Sequence, residues 1–170
     1  IYAGAQKNMG PAGTTLVVVR EDILGKVSRK IPSMMDYKAH IGKGSMFNTP
    51  PVFPVYASML NLEWLKKKGG IAGIEKENQK KAQLIYSEID LNPLFDGFAA
   101  KADRSTMNAT FTLNNDDLKD SFDSMWQEAG INGLNGHRSV GGYRASMYNA
   151  LTLESVQVLV EIMSELERKA

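Results

Sequence analysis

The sequence predicts an α/β protein, because segments with the periodicity of strands alternate along it with segments of helical periodicity. In residues 107–113, apolar side chains alternate with Asn and Thr, which is typical of a strand with one buried face. From Pro51 onwards, apolar residues instead recur at intervals of three and four, as in an amphipathic helix. The second half is predicted to run helix, strand, helix, strands, helix, which makes a small α/β layer with its own core.

The composition is that of an ordinary globular protein. The chain has 170 residues, of which 43% are hydrophobic and 23% charged, and its formal net charge is +1. Such a balance gives no basic field, so we expect no binding to nucleic acid or to an anionic membrane. No apolar run is long enough to span a bilayer. With no cysteine and only two histidines, the sequence predicts neither disulfides nor a metal centre.

The first 50 residues are predicted to form part of a larger sheet. A short strand and a glycine-rich turn precede residues 14–19, whose β-branched side chains are typical of a strand buried on both faces. Asp22 can cap a helical turn, and residues 31–51 are rich in Gly and Pro, which favours a loop. Since these elements do not close on themselves and the chain starts at Ile1 rather than Met, we expect a part of a longer protein.

The helices that follow carry recognisable end signals. Gly69 and Gly70 are expected to end the first of them. The next helix places apolar residues from Ile71 to Ile89 on one stripe, and its charged residues are assigned to a solvated face. Asn115 and Thr152 are placed to cap the last two helices.

Lys7 is the first candidate site residue. It lies between a short strand and a Gly-Pro turn, among small residues. A lysine at an arbitrary position is most often solvated at the surface. In a confined site, however, desolvation lowers the pKa of a lysine, and its amine can form a Schiff base. The spacing of residues leaves both interpretations open.

Asn48 and Thr49 stand just before a helix that starts with proline. One interpretation is a helix cap, and the other is an anion site, because a hydroxyl, an amide and a helix N-terminus together bind phosphate. The nearby segment 37–44 is not a P-loop, because Tyr37 replaces its first glycine and Gly44 its hydroxyl residue.

A third group comprises His137, Arg138 and Arg144, interspersed with glycines. Glycine lets the backbone approach a ligand closely, and guanidinium groups match carboxylate or phosphate oxygens in bidentate pairs. The two arginines could therefore bind the two ends of a dianionic substrate, although a single loop arginine is usually solvent-exposed. His40 is expected to be a structural histidine in a loop.

Three segments together resemble the phosphoserine aminotransferase family, which belongs to the pyridoxal-phosphate-dependent, fold-type I, class-V-like aminotransferases. They are AQKNMGPAG, MFNTPP and GHRSVGGYRASMYNA, in the family's order, and the similarity runs along the whole chain. The resemblance implies the C-terminal part of that fold. Residues 1–66 would belong to the large cofactor-binding domain and supply an edge of its sheet. Residues 67–170 would form the small C-terminal α/β domain.

The resemblance also implies roles in cofactor binding. Lys7 matches the catalytic lysine, which holds pyridoxal 5'-phosphate through a Schiff base and moves a proton to and from the substrate Cα. Asn48 and Thr49 match residues that reach the cofactor phosphate across the interface of a homodimer. The N-terminal half of the family, with an aromatic residue and an aspartate that contact the cofactor ring, is absent. The chain alone is therefore expected to be inactive.

The substrate roles follow in the same way. Arg144 matches the arginine that pairs with the substrate α-carboxylate, while His137 and Arg138 match the pair that binds the distal anion. The family reaction moves the amino group of glutamate to 3-phosphohydroxypyruvate, giving phosphoserine and 2-oxoglutarate in cytoplasmic serine biosynthesis; some bacteria also use it in pyridoxine biosynthesis.

Two alternatives remain for the function. One is a non-catalytic module that serves only folding or dimerisation. The other is an enzyme of the same fold group that acts on a small neutral substrate. The pair His137 and Arg138 disfavours this alternative, because such a substrate has no distal anion for the pair to bind.

Overall fold

The computed structural model describes residues 1–170, which divide into two compact units, Ile1–Lys67 and Lys68–Ala170. The first unit contains two strands and two helices: β1 (Tyr2–Gly4), β2 (Thr15–Val17), α1 (Tyr37–Ile41) and α2 (Val52–Lys67). The second unit contains three strands and three helices: α3 (Gly70–Leu91), β3 (Phe95–Gly97), β4 (Asn108–Leu113), α4 (Lys119–Glu128), β5 (Tyr143–Ser146) and α5 (Leu153–Lys169). None of the helices combines the length and the hydropathy needed to cross a lipid bilayer.

In the first unit, β1 and β2 form a two-stranded antiparallel ribbon, with Tyr2 opposite Val17 and Gly4 opposite Thr15. Every residue of both strands is exposed. The prediction of a strand buried on both faces in residues 14–19 is therefore wrong for this chain. A ribbon of two strands has no layer to cover its faces, whatever the β-branched content of the strands.

Residues 31–51 are more ordered than their Gly and Pro content predicted. They contain a 3₁₀ turn, Ser33–Met35, and the short helix α1, which Asp36 caps by accepting a 3.0 Å hydrogen bond from the Lys38 amide. His40 lies on α1 rather than in a loop, and its Nε2 is 2.9 Å from the carbonyl oxygen of Met34. Its role in this unit is structural, as the sequence suggested.

Asp22 does not cap a helical turn. It lies inside the 3₁₀ turn Glu21–Ile23, and its carboxylate instead accepts hydrogen bonds from the Arg20 guanidinium at 2.9 and 2.5 Å. The helix predicted from Pro51 is confirmed as α2, and the two glycines that follow it, Gly69 and Gly70, have φ of 92° and 65°. Such left-handed backbone ends a helix, which is why glycine occupies both positions.

The second unit is built on the antiparallel sheet β3-β4-β5. Its register places Phe95 opposite Leu113 and Thr110 opposite Arg144. Ala109 and Phe111 on β4 are almost fully buried, so the predicted alternation of residues 107–113 is confirmed. α3 contacts α5 and β3, while α4 contacts α5, and side chains from all six elements enclose one hydrophobic core.

Both predicted helix caps of the second unit are present. Asn115 Oδ1 accepts from the Asp117 amide at 3.0 Å, at the start of a 3₁₀ turn that continues into α4. Thr152 Oγ1 accepts from the Ser155 amide at 3.3 Å at the start of α5. Each cap satisfies a backbone donor that the helix itself leaves unpaired.

The prediction that the charged residues of α3 form a solvated face is wrong for one of them. Lys81 is only 2% exposed and is among the largest fully buried side chains of the protein, whereas the apolar Ile71 is 89% exposed. Lys81 is buried because the segment after β5 offers its ammonium group three backbone acceptors.

Candidate active site

Lys7 lies on a tight turn between β1 and β2. The Ala5 amide donates to the Thr14 carbonyl at 2.9 Å, and the Lys7 amide donates to the Gly10 carbonyl at 3.0 Å. Lys7 is exposed and has a φ of 152°, which residues with a Cβ rarely adopt. Such a conformation costs of the order of 1–3 kcal/mol and persists only where the surroundings impose it. The turn must therefore be held from outside.

Helix α2 supports this turn. Asn61 Nδ2 donates a 2.8 Å hydrogen bond to the Asn8 carbonyl. Gly10 approaches α2 so closely that a Cβ on it would lie 2.4 Å from Ser58 Oγ. A Cβ on Gly13 would likewise lie 2.9 Å from Pro54 Cγ. The two glycines of the turn are thus required by close packing against a helix.

Sequence reasoning did not identify Asn61 or Ser58 as part of this site. Ser58 is 6% exposed, and its Oγ has no hydrogen-bond partner. The available signal was the pair of glycines after Lys7. Such glycines indicate that another part of the chain packs closely against the turn, but they do not identify which element it is. The partner could be identified only once α2 was seen to pack there.

Asn48 and Thr49 lie immediately before the two prolines that precede α2. Both residues are exposed, and Asn48 Nδ2 donates to the Thr49 carbonyl at 3.1 Å. Their side chains are therefore at the N-terminal end of a helix of 16 residues, where unpaired amides and the helix dipole favour an anion. α2 therefore contacts the Lys7 turn and also follows directly after the segment that carries Asn48 and Thr49.

In the second unit, Arg144 lies on β5 between two neighbouring segments. It is opposite Thr110 of β4, and its amide donates to the Leu134 carbonyl at 2.7 Å on the other side. Its strand neighbours Tyr143 and Ala145 point into the core, so Arg144 points to the opposite face of the sheet. Its Nε is buried without a hydrogen-bond partner, as expected of a guanidinium prepared for an anion.

His137 and Arg144 line the same cavity, which has a volume of about 200 Å³. Further lining residues that sequence reasoning missed are Phe98, Thr110, Thr112 and Val140. Arg144 also lines a second cavity of about 320 Å³ between β5 and α5. Arg138 lines neither of these cavities and is exposed. Of the three predicted substrate residues, the structure thus brings two together.

The glycines around His137 allow the backbone at Gly136 to pass very close to the backbone at Gly141 and Gly142. The Gly136 amide donates to the Gly142 carbonyl at 2.8 Å, and a Cβ on Gly136 would lie 2.0 Å from the Gly141 carbonyl oxygen. His137 closes the loop between them, because its carbonyl accepts from the Gly141 amide at 2.8 Å and its Nδ1 lies 2.7 Å from Ser139 Oγ. The loop that presents His137 therefore depends on residues without side chains.

Tyr143 anchors β5 to α4 from the core side. Its hydroxyl donates to Asp123 Oδ1 at 2.9 Å, and Trp126 Nε1 donates to the same oxygen at 3.0 Å. Burial would raise the pKa of Asp123, but hydrogen bonds from Lys119, Trp126 and Tyr143 outweigh it and hold that pKa below its ordinary value. Burial and the bond to Asp123 raise the pKa of Tyr143. The pair fixes the strand that carries Arg144.

The first unit thus carries a lysine on a constrained turn, and the second carries a cavity lined by His137 and Arg144. Comparison with known proteins shows which family contains this chain. The family model for class-V aminotransferases matches residues 1–159, and the chain belongs to that family. The expected fold, the C-terminal part of a fold-type I aminotransferase, is thereby confirmed.

The relatives narrow the resemblance to phosphoserine aminotransferases, as the three motifs indicated. The chain is 70% identical to the phosphoserine aminotransferase of Flavobacterium psychrophilum, over 99% of its own length and 48% of that protein. It matches the solved enzyme of Bacillus circulans subsp. alkalophilus with a TM-score of 0.91 and 43% identity, over 99% of this chain and 47% of that one.

A third match is the phosphoserine aminotransferase of Trichomonas vaginalis, solved with pyridoxal phosphate bound. Its TM-score is 0.86 and its identity 37%, over 96% of this chain and 47% of that one. The chain thus spans about half the length of the relatives it matches.

Proposed function

We propose that this chain supplies the C-terminal half of a pyridoxal-phosphate-dependent phosphoserine aminotransferase. The whole enzyme would transfer the amino group of glutamate to 3-phosphohydroxypyruvate, giving phosphoserine and 2-oxoglutarate in serine biosynthesis. The observation that carries the proposal is the Lys7 turn, whose rare backbone conformation is maintained by α2 in a chain with 70% identity to such an enzyme. Strain of this kind is concentrated at functional sites.

The residues present fit pyridoxal phosphate. Lys7 offers an exposed primary amine on a fixed turn, which is the group that captures an aldehyde. Asn48 and Thr49 offer an amide and a hydroxyl at a helix N-terminus, which suit a phosphate. When bound, the cofactor supplies an electron sink for the carbanion formed at the substrate Cα. The resemblance places these two phosphate contacts across a homodimer interface.

The chain's own residues would bind the substrate and move its proton. The Lys7 amine would take the proton from the substrate Cα and return it, acting as general base and general acid. The Arg144 guanidinium pairs with the α-carboxylate in a bidentate manner and so fixes the orientation of the Cα–H bond. His137 and Arg138 bind the distal phosphate or γ-carboxylate.

A cationic distal pocket explains how one site could serve two substrates. Glutamate and phosphoserine both carry an anionic group remote from the amino group. Cationic side chains that donate hydrogen bonds can bind either a carboxylate or a phosphate. His137 shares a cavity with Arg144, and Arg138 lies on the exposed part of the same loop. From there Arg138 would reach the distal anion.

Other parts of the proposal are supported by the family resemblance alone. They are the assignment of residues 1–66 to the large domain and 67–170 to the small one, the homodimer, the cytoplasmic location and a second use in pyridoxine biosynthesis.

Reductive labelling tests the proposal directly. The complete protein is incubated with pyridoxal phosphate, reduced with borohydride and mapped by mass spectrometry. We expect a single adduct at Lys7, abolished in Lys7→Ala and unaffected in Lys26→Ala, an exposed lysine of the same unit. Labelling scattered over surface lysines, with amino transfer retained in Lys7→Ala, would refute it. A folding or dimerisation module would tolerate Lys7→Ala without loss of any function.

A further inference from the structure

Lys81 is a buried lysine whose partners are backbone carbonyl groups. Its Nζ donates to the carbonyl oxygens of Met147, Tyr148 and Leu151, at 3.1, 2.9 and 3.0 Å. An ammonium group has three donors, so these three acceptors satisfy it completely. Residues 147–151 are irregular backbone, and one side chain on α3 therefore provides hydrogen bonds that no regular element supplies there.

A second buried residue of α3 holds the same segment. Asn78 is 2% exposed, and its Nδ2 donates to Asn149 Oδ1 at 2.9 Å. Asn78 and Lys81 are three positions apart and so lie on the same face of the helix. Together they fasten residues 147–151 to α3 along one helical turn.

The segment that Lys81 holds continues directly from the strand that carries Arg144. The Met147 amide donates to the Met107 carbonyl at 2.7 Å, which extends the β4–β5 ladder up to the carbonyl that Lys81 binds. Arg144 lies three residues earlier on this strand. Arg144 and Met147 are therefore held by one continuous set of hydrogen bonds to β4, so a shift of the backbone at Met147 would displace Arg144.

The chemistry of the three carbonyls accounts for the presence of a lysine at this position. A buried carbonyl without a donor is costly, and a buried ammonium without acceptors is more so. Lys81 supplies a donor to the Met147 and Leu151 carbonyls and a second one to the Tyr148 carbonyl, which also accepts from the Leu151 amide at 2.9 Å. Gln has two amide donors, and the planar fork of Arg directs its donors differently from an ammonium group. Among common side chains, only lysine places three donors at one point.

We propose that Lys81 is a positioning residue for Arg144: by binding the carbonyls of residues 147–151, it fixes the end of β5 and hence the guanidinium that receives the substrate carboxylate. The inference rests on the proposed function, in which Arg144 binds that carboxylate. Lys81 itself touches neither substrate nor cofactor.

The test compares Lys81→Met with Lys80→Met in the complete enzyme. Lys80 is the adjacent lysine, is exposed and pairs with Glu77 at 2.8 Å, so it controls for loss of a charge on α3. In Lys81→Met we expect the KM for glutamate to rise about tenfold or more, with the absorbance and affinity of bound pyridoxal phosphate unchanged. Amide hydrogen exchange in residues 143–151 should become faster. Lys80→Met should match the parent protein in the KM for glutamate, in the absorbance and affinity of the cofactor, and in amide exchange.

A purely structural role gives a different result. If Lys81→Met lowers only the thermal midpoint, and its folded fraction has the parent KM for glutamate and parent exchange in residues 143–151, the positioning role is refuted. If Lys81→Met does not fold, Lys81→Gln decides, because it retains two of the three donors. A KM for glutamate raised at least about threefold in Lys81→Gln supports the role, and an unchanged KM refutes it.

Arg144→Lys, measured in parallel, separates this inference from the proposed function. If Arg144→Lys leaves the KM for glutamate unchanged, the assigned role of Arg144 fails and the inference fails with it. If Arg144→Lys raises that KM while Lys81→Met does not, the proposed function stands and only the role of Lys81 is refuted.

Discussion

Asn61 of α2 donates a 2.8 Å hydrogen bond to the carbonyl of Asn8, the residue that directly follows Lys7. The two residues are 53 positions apart, so the bond ties the N-terminal turn to a helix formed much later in the chain. Because Lys7 has a φ of 152°, its turn would relax without such support. The contact therefore couples the packing of α2 to the conformation of the turn that carries Lys7.

Removing this bond should loosen the turn without removing Lys7. We expect Asn61→Leu to lower the free energy of unfolding by about 1 kcal/mol, the usual net value of one hydrogen bond, and to weaken pyridoxal phosphate binding several-fold. Absorbance titration with the cofactor and urea unfolding measure the two effects. Glu63→Gln, an exposed change on the same helix, is the control. Equal cofactor affinity in both variants would contradict a role of Asn61 in holding Lys7.

The close approach of Gly10 to α2 gives a second prediction. In Gly10→Ala, the new Cβ would lie 2.4 Å from Ser58 Oγ and 2.9 Å from Ser58 Cα. We expect a loss of stability about 1–3 kcal/mol greater than in Gly44→Ala, since overpacking adds to backbone strain. Gly44 is the control without overpacking: nothing lies within 4 Å of its Cβ position, and its φ is positive, at 56° against 153° for Gly10. Thermal unfolding compares the two, and equal losses would show that only backbone strain matters.

The parts of the fold that follow from local signals were predictable. Asn115, Thr152 and the alternation in residues 107–113 act on their immediate neighbours, and all three are confirmed in the structure. The burial of Lys81 was not predictable, because its acceptors are carbonyls that lie 66 to 70 positions later in the chain. The periodicity of α3 gives no sign of them. The exposure of β2 also depends on which strands lie beside it, which residue type does not encode.

The candidate site shows the same division. Residue type, local glycines and the resemblance to a family predicted the candidate residues Lys7, Asn48, Thr49, His137, Arg138 and Arg144. The residues that hold them, Asn61 and Ser58 beneath the Lys7 turn and Asp123 beneath β5, were missed. Their contribution is a contact made through space, and an ordinary helix surface gives no sign of it in the sequence.

Arg138 provides a test of substrate selection. If it binds the distal anion, Arg138→Ala should lower kcat/KM for phosphoserine by about 10–100-fold, the value of a lost charge-assisted hydrogen bond, and that for alanine much less. Alanine has no distal anion and so cannot gain from the guanidinium. Steady-state kinetics with both amino donors measures the difference. Equal losses on the two substrates would contradict the assignment, as would no loss on either.

Asp90 gives a prediction about acid stability. Its carboxylate accepts hydrogen bonds from Arg104 at 2.9 and 2.6 Å, and Lys101 Nζ lies 3.0 Å away. These bonds, chiefly that from Arg104, lower the pKa of Asp90 to about 2. The Arg104 guanidinium also lies 4.5 Å above the ring of Tyr86. The cluster connects α3 to the 3₁₀ turn Lys101–Asp103 that precedes β4.

The sign of the pH dependence follows from that lowered pKa. Because the carboxyl group binds its proton more weakly in the folded state, the pair contributes its full stability above the ordinary carboxyl pKa of 3.8. That contribution is lost as the pH falls through about 2. Asp90→Asn should therefore lower the free energy of unfolding at pH 7, by about 1 kcal/mol at most, since the pair is partly solvated.

Urea unfolding of the parent protein and of Asp90→Asn at pH 7, 4 and 2 tests this expectation. The difference between the two proteins should persist from pH 7 to 4 and shrink towards pH 2, because protonation of Asp90 then removes the same charge as the substitution. Asp96→Asn, which alters an exposed carboxylate on β3, controls for loss of one negative charge in the same unit. A difference that stays constant down to pH 2 would show that the substitution disturbs packing, and that the ion pair with Arg104 contributes no stability of its own.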